Sequence, residues 1–131
     1  MQPKPTAPTY SAFVFWQRAE GAVLFGVALW LYTLVGSPFP VWVAVLLFFL
    51  PDLSFAAYLL GPRLGAWAYN IVHVYAFGAI VGGIGLAFDS AAWMAAGTLW
   101  FAHSGFDRAL GYGLKSTHGF KETHLGRIGQ E

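Results

Sequence analysis

From Phe13 to Leu114 the chain is a nearly unbroken apolar run, interrupted at only three places: Gly36-Ser37-Pro38, Gly61-Pro62 and Asp89-Ser90. A helix needs about 20 residues to cross the hydrocarbon layer of a bilayer. The interruptions divide the run into segments of that length, 13–35, 41–60, 64–88 and 91–114. In lipid every backbone amide and carbonyl must find an internal partner, so segments of this kind are expected to be helices. Composition agrees, with 57% of residues hydrophobic, 18% aromatic and only 10% charged, far from the balance of a soluble domain. The pattern predicts an all-α integral membrane protein. Short connections place each span beside the next, and the expected architecture is an antiparallel four-helix bundle.

The distribution of charge orients it. The seven basic residues, Lys4, Arg18, Arg63, Arg108, Lys115, Lys121 and Arg127, all fall on the side shared by the two termini and the middle connection. Under the positive-inside rule both termini are cytoplasmic. Residues 1–12, with Pro3, Pro5 and Pro8, read as a disordered N-terminal tail, 13–114 as the membrane domain, and 115–131 as a polar cytoplasmic tail. The first span is too long for a signal-peptide core, carries Glu20 inside it and has no small-residue cleavage site, so it reads as retained. The chain has no cysteine, which excludes disulfides and thiolate metal sites. No basic domain is present to hold nucleic acid.

Against this background the polar residues inside the spans stand out. The stretch Trp100 to Lys115, WFAHSGFDRALGYGLK, carries His103 and Asp107 four apart, one turn from each other on one helix face. Asp52 follows Pro51 in the second span, Asn70 and His73 lie in the third, and Glu20 in the first. At about 1.5 Å per residue from the cytoplasmic ends, Glu20, Asn70 and Asp107 fall at roughly 9–11 Å depth and Asp52, His73 and His103 at roughly 12–17 Å. The six form one band, which implies a polar pocket open to the cytoplasm. Pro51 lacks an amide hydrogen and is expected to kink its helix, leaving a carbonyl near Leu47 without its helical partner.

Ionisable residues inside a membrane mark working sites by default. The donor set suits a metal: His73, His103 and Asp107 as ligands to zinc, manganese or iron, with Asn70 orienting a ligand or a bound water. An ion with an open position lowers the pKa of bound water, which points to a hydrolase acting on a lipid or other membrane-associated substrate. In that reading Asp52 or Glu20 is the general base. Arg108 and Lys115 contact an anionic lipid or phosphorylated headgroup, with Arg108 snorkelling outward. Gly111, Gly113 and Gly119 let the tail fold back as a lid that carries His124. Three other classes stand beside this one: a haem or redox protein using His73 and His103 as axial ligands, a proton or ion transporter, and an accessory subunit whose polar residues only pair across helices.

RAEG (Arg18 to Gly21), PDLS (Pro51 to Ser54), GPRLGAWAYNIVH (Gly61 to His73), AHSGFDRALGYGLK (Ala102 to Lys115) and GFKETHLGRIG (Gly119 to Gly129) resemble a family of small bacterial membrane proteins, the domain of unknown function 4260. The resemblance covers nearly the whole chain after the first residues. It implies a compact four-span protein in the bacterial inner membrane, and it brings no activity, substrate or cofactor.

Overall fold

The computed structural model describes residues 7–117 and 119–128. In chain order they form α1 (Ala7–Leu34), α2 (Val41–Phe49) continuing into a 3-10 helix (Leu50–Leu60), α3 (Pro62–His73), α4 (Tyr75–Ala87) and α5 (Ala91–Leu110), then three short strands, β1 (Lys115–Ser116), β2 (Gly119–Thr123) and β3 (Gly126–Arg127). Part of the expected N-terminal tail is therefore helical. Pro8 is accommodated in the first turn of α1, where a missing amide hydrogen removes no helical bond. Residues 1–6 of that tail lie outside the described residues.

Two stretches, Ala12–Leu34 and Val41–Leu60, are long and apolar enough to cross a membrane, and the pair α3 and α4, bent by 48°, makes a third if it counts as one span. Large apolar side chains cover the outside, Leu59 being 90% and Val41 81% exposed, while Ala66, Ala95 and Ala102 are completely buried. That inversion suits lipid, where close packing of small residues replaces the hydrophobic effect between helices.

The helices gather around α5, which packs on α1, α4 and α2, while the 3-10 helix packs on α3. Glycine sets the approach. A Cβ on Gly105 would lie 2.8 Å from the Gly21 carbonyl oxygen of α1, and one on Gly78 of α4 would lie 2.6 Å from the Phe101 amide of α5. Gly78 and Gly82 of α4 thus meet α5 at Gly97. Ser90 begins α5 as its N-cap, accepting from the Trp93 amide at 3.3 Å, and Gly111 ends it in the left-handed conformation with φ 91°.

Pro51 acts differently from the expectation. The Leu47 carbonyl is taken by the Leu50 amide three residues on, and the chain tightens into a 3-10 helix through Leu60. Contiguous 3-10 turns of this length are uncommon. They keep the backbone bonded past the proline and carry Asp52 in their first turn.

The third segment breaks where neither proline nor glycine predicts it. Val74 is extended, with ψ 146°. The Phe77 amide bonds the Val74 carbonyl at 3.2 Å rather than that of His73. The carbonyls left open are taken by α5: Trp100 Nε1 donates to the Val72 carbonyl at 2.7 Å, and Arg108 Nη2 to the His73 carbonyl at 3.4 Å. A side chain inserted into the helical ladder is a recognised cause of such a bend, and in lipid the open carbonyls require partners of this kind.

After α5 the tail forms a three-stranded antiparallel sheet in the order β1-β2-β3. Lys115 faces Thr123 and Glu122 faces Arg127 in its register. β1 and β2 lie against α3.

Candidate metal centre

Each element contributes to the centre through its local conformation. The 3-10 helix places Asp52, the last turn of α3 places His73, and one face of α5 places His103 and Asp107. Four atoms converge: Asp52 Oδ1, His73 Nε2, His103 Nε2 and Asp107 Oδ2, all within 4.8 Å of one another. Five of their separations are short: His103 to Asp52 3.1 Å and to Asp107 3.2 Å, His73 to Asp52 3.4 Å and to Asp107 3.5 Å, and 3.2 Å between the two imidazoles. Ligand bonds of 2.0–2.1 Å around a tetrahedral zinc imply separations of about 3.3–3.4 Å. These five separations lie close to that spacing, and the cluster could hold a metal ion.

Protonation chemistry points the same way. His73 Nδ1 donates to the Tyr69 carbonyl at 2.8 Å, since a carbonyl can only accept. A neutral His73 then presents the lone pair of Nε2 to the centre, the arrangement that metal-bound histidines adopt. Both imidazoles are only 1% exposed, Asp107 is 13% exposed and Asp52 37%, so Asp52 is the member of the cluster on the open side. The Tyr69 ring stacks on His73 at 3.7 Å, and its hydroxyl lies 3.4 Å from Asp107 Oδ2. Phe48 closes the far side against the His103 ring.

A cleft of about 380 Å³ opens onto this centre, with Asp52 and Asp107 in its wall. Tyr69, Tyr112 and Phe55 continue the lining, and the tail completes it with Lys115 and Ile128. Lys115 is 5% exposed, and its ammonium lies 5.0 Å from the centre of the Tyr69 ring. Burial pushes that ammonium below its ordinary value, while Asp107 pulls it back up.

The residues expected from the sequence thus separate. His73, His103 and Asp107 come together, and Asp52, expected as a base, joins them with a carboxylate oxygen in the same cluster. Glu20 does not reach the centre: it is an exposed residue of α1 and lines no part of the cleft. Asn70 holds the tail rather than a ligand, its amide accepting from the Lys115 amide at 2.6 Å and donating to the Lys115 carbonyl at 2.8 Å. Arg108 does not snorkel. It is 4% exposed, holds the His73 and Tyr112 carbonyls, and lies 5.5 Å from the Tyr75 ring, because the helix break supplies the acceptors it needs. His124 is not one of the four converging residues; it accepts from the Leu114 amide at 2.9 Å with its ring over Gly113.

Tyr69 is the residue that sequence reasoning passed over. Its signal was present, four positions before His73 on one helical face. Trp100 had a weaker signal, because an indole in a membrane helix usually reads as an interfacial anchor.

No curated relative and no solved structure matches the chain. The family model described as a domain of unknown function (DUF4260) matches residues 14–128, and the chain belongs to that family.

Proposed function

We propose that this chain is a membrane-embedded metal-dependent hydrolase whose ion is held by His73, His103, Asp107 and Asp52, and whose substrate is a lipid or another membrane-associated molecule. The observation that carries the reading is the convergence of two imidazole nitrogens and two carboxylate oxygens at metal-ligand spacing inside an apolar helical protein. Two carboxylates and two imidazoles in that setting call for a cation.

A bound divalent ion would supply a water of lowered pKa and a Lewis acid for the bond to be cleaved. His73 is oriented by the Tyr69 carbonyl, Tyr69 hydrogen-bonds Asp107, and Phe48 excludes solvent from the back of His103. Asp52, the most exposed of the four, is suited to yield its position or to accept a proton. The haem alternative is disfavoured by the same geometry: the two Nε2 atoms are 3.2 Å apart and share their meeting point with two carboxylates, which leaves no slot for a porphyrin between them.

The spans are arranged in this reading as an antiparallel four-helix bundle in the cytoplasmic membrane, with the site and both termini on the cytoplasmic side, a reading supported by the placement of the basic residues. Elemental analysis with a visible spectrum on one purified sample tests the assignment. A near-stoichiometric transition metal, absent from the His103→Ala and Asp107→Ala proteins, is expected. Folded, active protein without metal would overturn it.

A further inference from the structure

Loading the centre with a divalent ion adds positive charge to the cleft. Among the described residues, its charged lining is Asp52, Asp107 and Lys115. Two carboxylates and one ammonium leave one negative charge in excess, and a divalent ion turns that into one positive charge in excess. Arg108, buried directly after Asp107 in the chain, adds a second cation behind the wall. In an apolar setting such an excess favours an anion strongly, because little solvent is present to screen it.

Lys115 is fixed in place before any ligand arrives. Both ends of the Asn70 amide bond its backbone, and its ammonium packs over the ring whose hydroxyl reaches Asp107. The cleft therefore presents an ion site and an ammonium on one wall, with Phe55, Tyr112 and Ile128 as its apolar remainder.

We propose that the loaded cleft binds a phosphoryl group, one oxygen directed to the ion and another to the Lys115 ammonium, so that metal and phosphoryl compound bind cooperatively. A phosphate monoester carries about −1.5 to −2 charge at neutral pH with three acceptor oxygens, which matches the excess of the ion, Lys115 and Arg108 better than a single carboxylate does. The apolar lining takes the organic portion. This inference rests on the metal reading above, and it assigns to Lys115 alone the contact that Arg108, turned inward, does not make.

The test is zinc affinity of the full chain in detergent, measured by chelator competition with and without sn-glycerol 3-phosphate, and repeated in nanodiscs of phosphatidylcholine with and without phosphatidate. A phosphoryl compound is expected to tighten zinc binding by at least about fivefold, the lower end of ordinary coupling between sites. Coupling with glycerol phosphate marks a soluble ester as sufficient, whereas coupling with phosphatidate alone marks the lipid as the source. Lys115→Met should bind zinc normally in phosphate-free buffer and lose the coupling, since Asn70 holds only the backbone there, and Lys115→Arg should keep it. Zinc binding that neither probe changes, or full coupling in Lys115→Met, would overturn the phosphoryl site and leave the metal centre standing. No binding of zinc, manganese or iron in any buffer would overturn both.

Discussion

The side-chain amide of Asn70 grips the backbone of Lys115 at both ends, accepting from its amide at 2.6 Å and donating to its carbonyl at 2.8 Å. This double bond of α3 to the tail brings Lys115 to the cleft and seats the small sheet beside it. Asn70→Leu removes both bonds and leaves two backbone groups without their partners, at about 1–3 kcal/mol each where they are buried. The expected result is rapid protease cleavage within 115–128 in the folded membrane protein, with metal content unchanged. Unaltered cleavage would show that the sheet is held by other contacts.

Trp100 acts at the helix break through one hydrogen bond. Trp100→Phe keeps the aromatic packing against Phe77 but leaves the Val72 carbonyl without its 2.7 Å donor. A loss of about 1–3 kcal/mol is expected, read as a lowered melting temperature in detergent. A melting temperature within error of the parent protein would mean that another group satisfies that carbonyl.

Gly105 is the point where α5 meets α1. A methyl group there would come within 2.8 Å of both the Gly21 oxygen and the Phe25 amide nitrogen, backbone atoms that can retreat only if the helices separate. Gly105→Ala is expected to destabilise by about 1–3 kcal/mol and to weaken metal binding, since His103 and Asp107 flank the crossing. Gly83→Ala, whose new methyl would meet nothing within 4 Å beyond its own stretch of helix, is the control and should change neither property.

Metal removal should be visible in stability. An ion bound only by the folded state contributes about 4.1 kcal/mol when present at a thousand times its Kd, so a chelator should lower the melting temperature and added zinc restore it. His73→Ala should melt at one temperature with or without zinc. A parent protein indifferent to both treatments would contradict a resident ion.

The tail should loosen in acid. His124 Nδ1 accepts from the Leu114 amide, which requires an unprotonated nitrogen there, and burial, followed by the nearby Arg108, pushes its pKa below the ordinary 6.5. The docked state thus holds fewer protons than the released one. Its stability is complete above pH 6.5 and falls as the pH drops below that value. Proteolysis of the tail is expected to accelerate from pH 7 to pH 5 in the parent protein, and to lose that pH dependence in His124→Ala.

Much of the helical layout was legible from the sequence because the bilayer imposes it. Glycine and proline punctuate an apolar run at intervals near 20 residues, and Ser90 begins α5 where the third interruption, Asp89-Ser90, ends. The small sheet was less legible: its strands are two to five residues long and form only against α3, so their pairing is a tertiary property. The break at Val74 was illegible for a related reason, since it depends on the donors Trp100 and Arg108 from another helix.

The candidate site divides along the same line. An aspartate or histidine in an apolar run is conspicuous whatever surrounds it, and Asp52, His73, His103 and Asp107 were all visible from the sequence alone, with the His103–Asp107 pair readable from the helical period. Their meeting at 3.1–3.5 Å was not, because it needs the rotation of each helix about its own axis, and glycine contacts between helices set that rotation. The same rotations turn Glu20 outward, draw Arg108 inward to the His73 carbonyl, and give Asn70 to the tail. The sequence by itself determined that costly polar groups interrupt apolar helical segments, as a matter of hydropathy and length. Only the tertiary structure decided which of them share a centre, because that choice depends on packing between segments far apart in the chain.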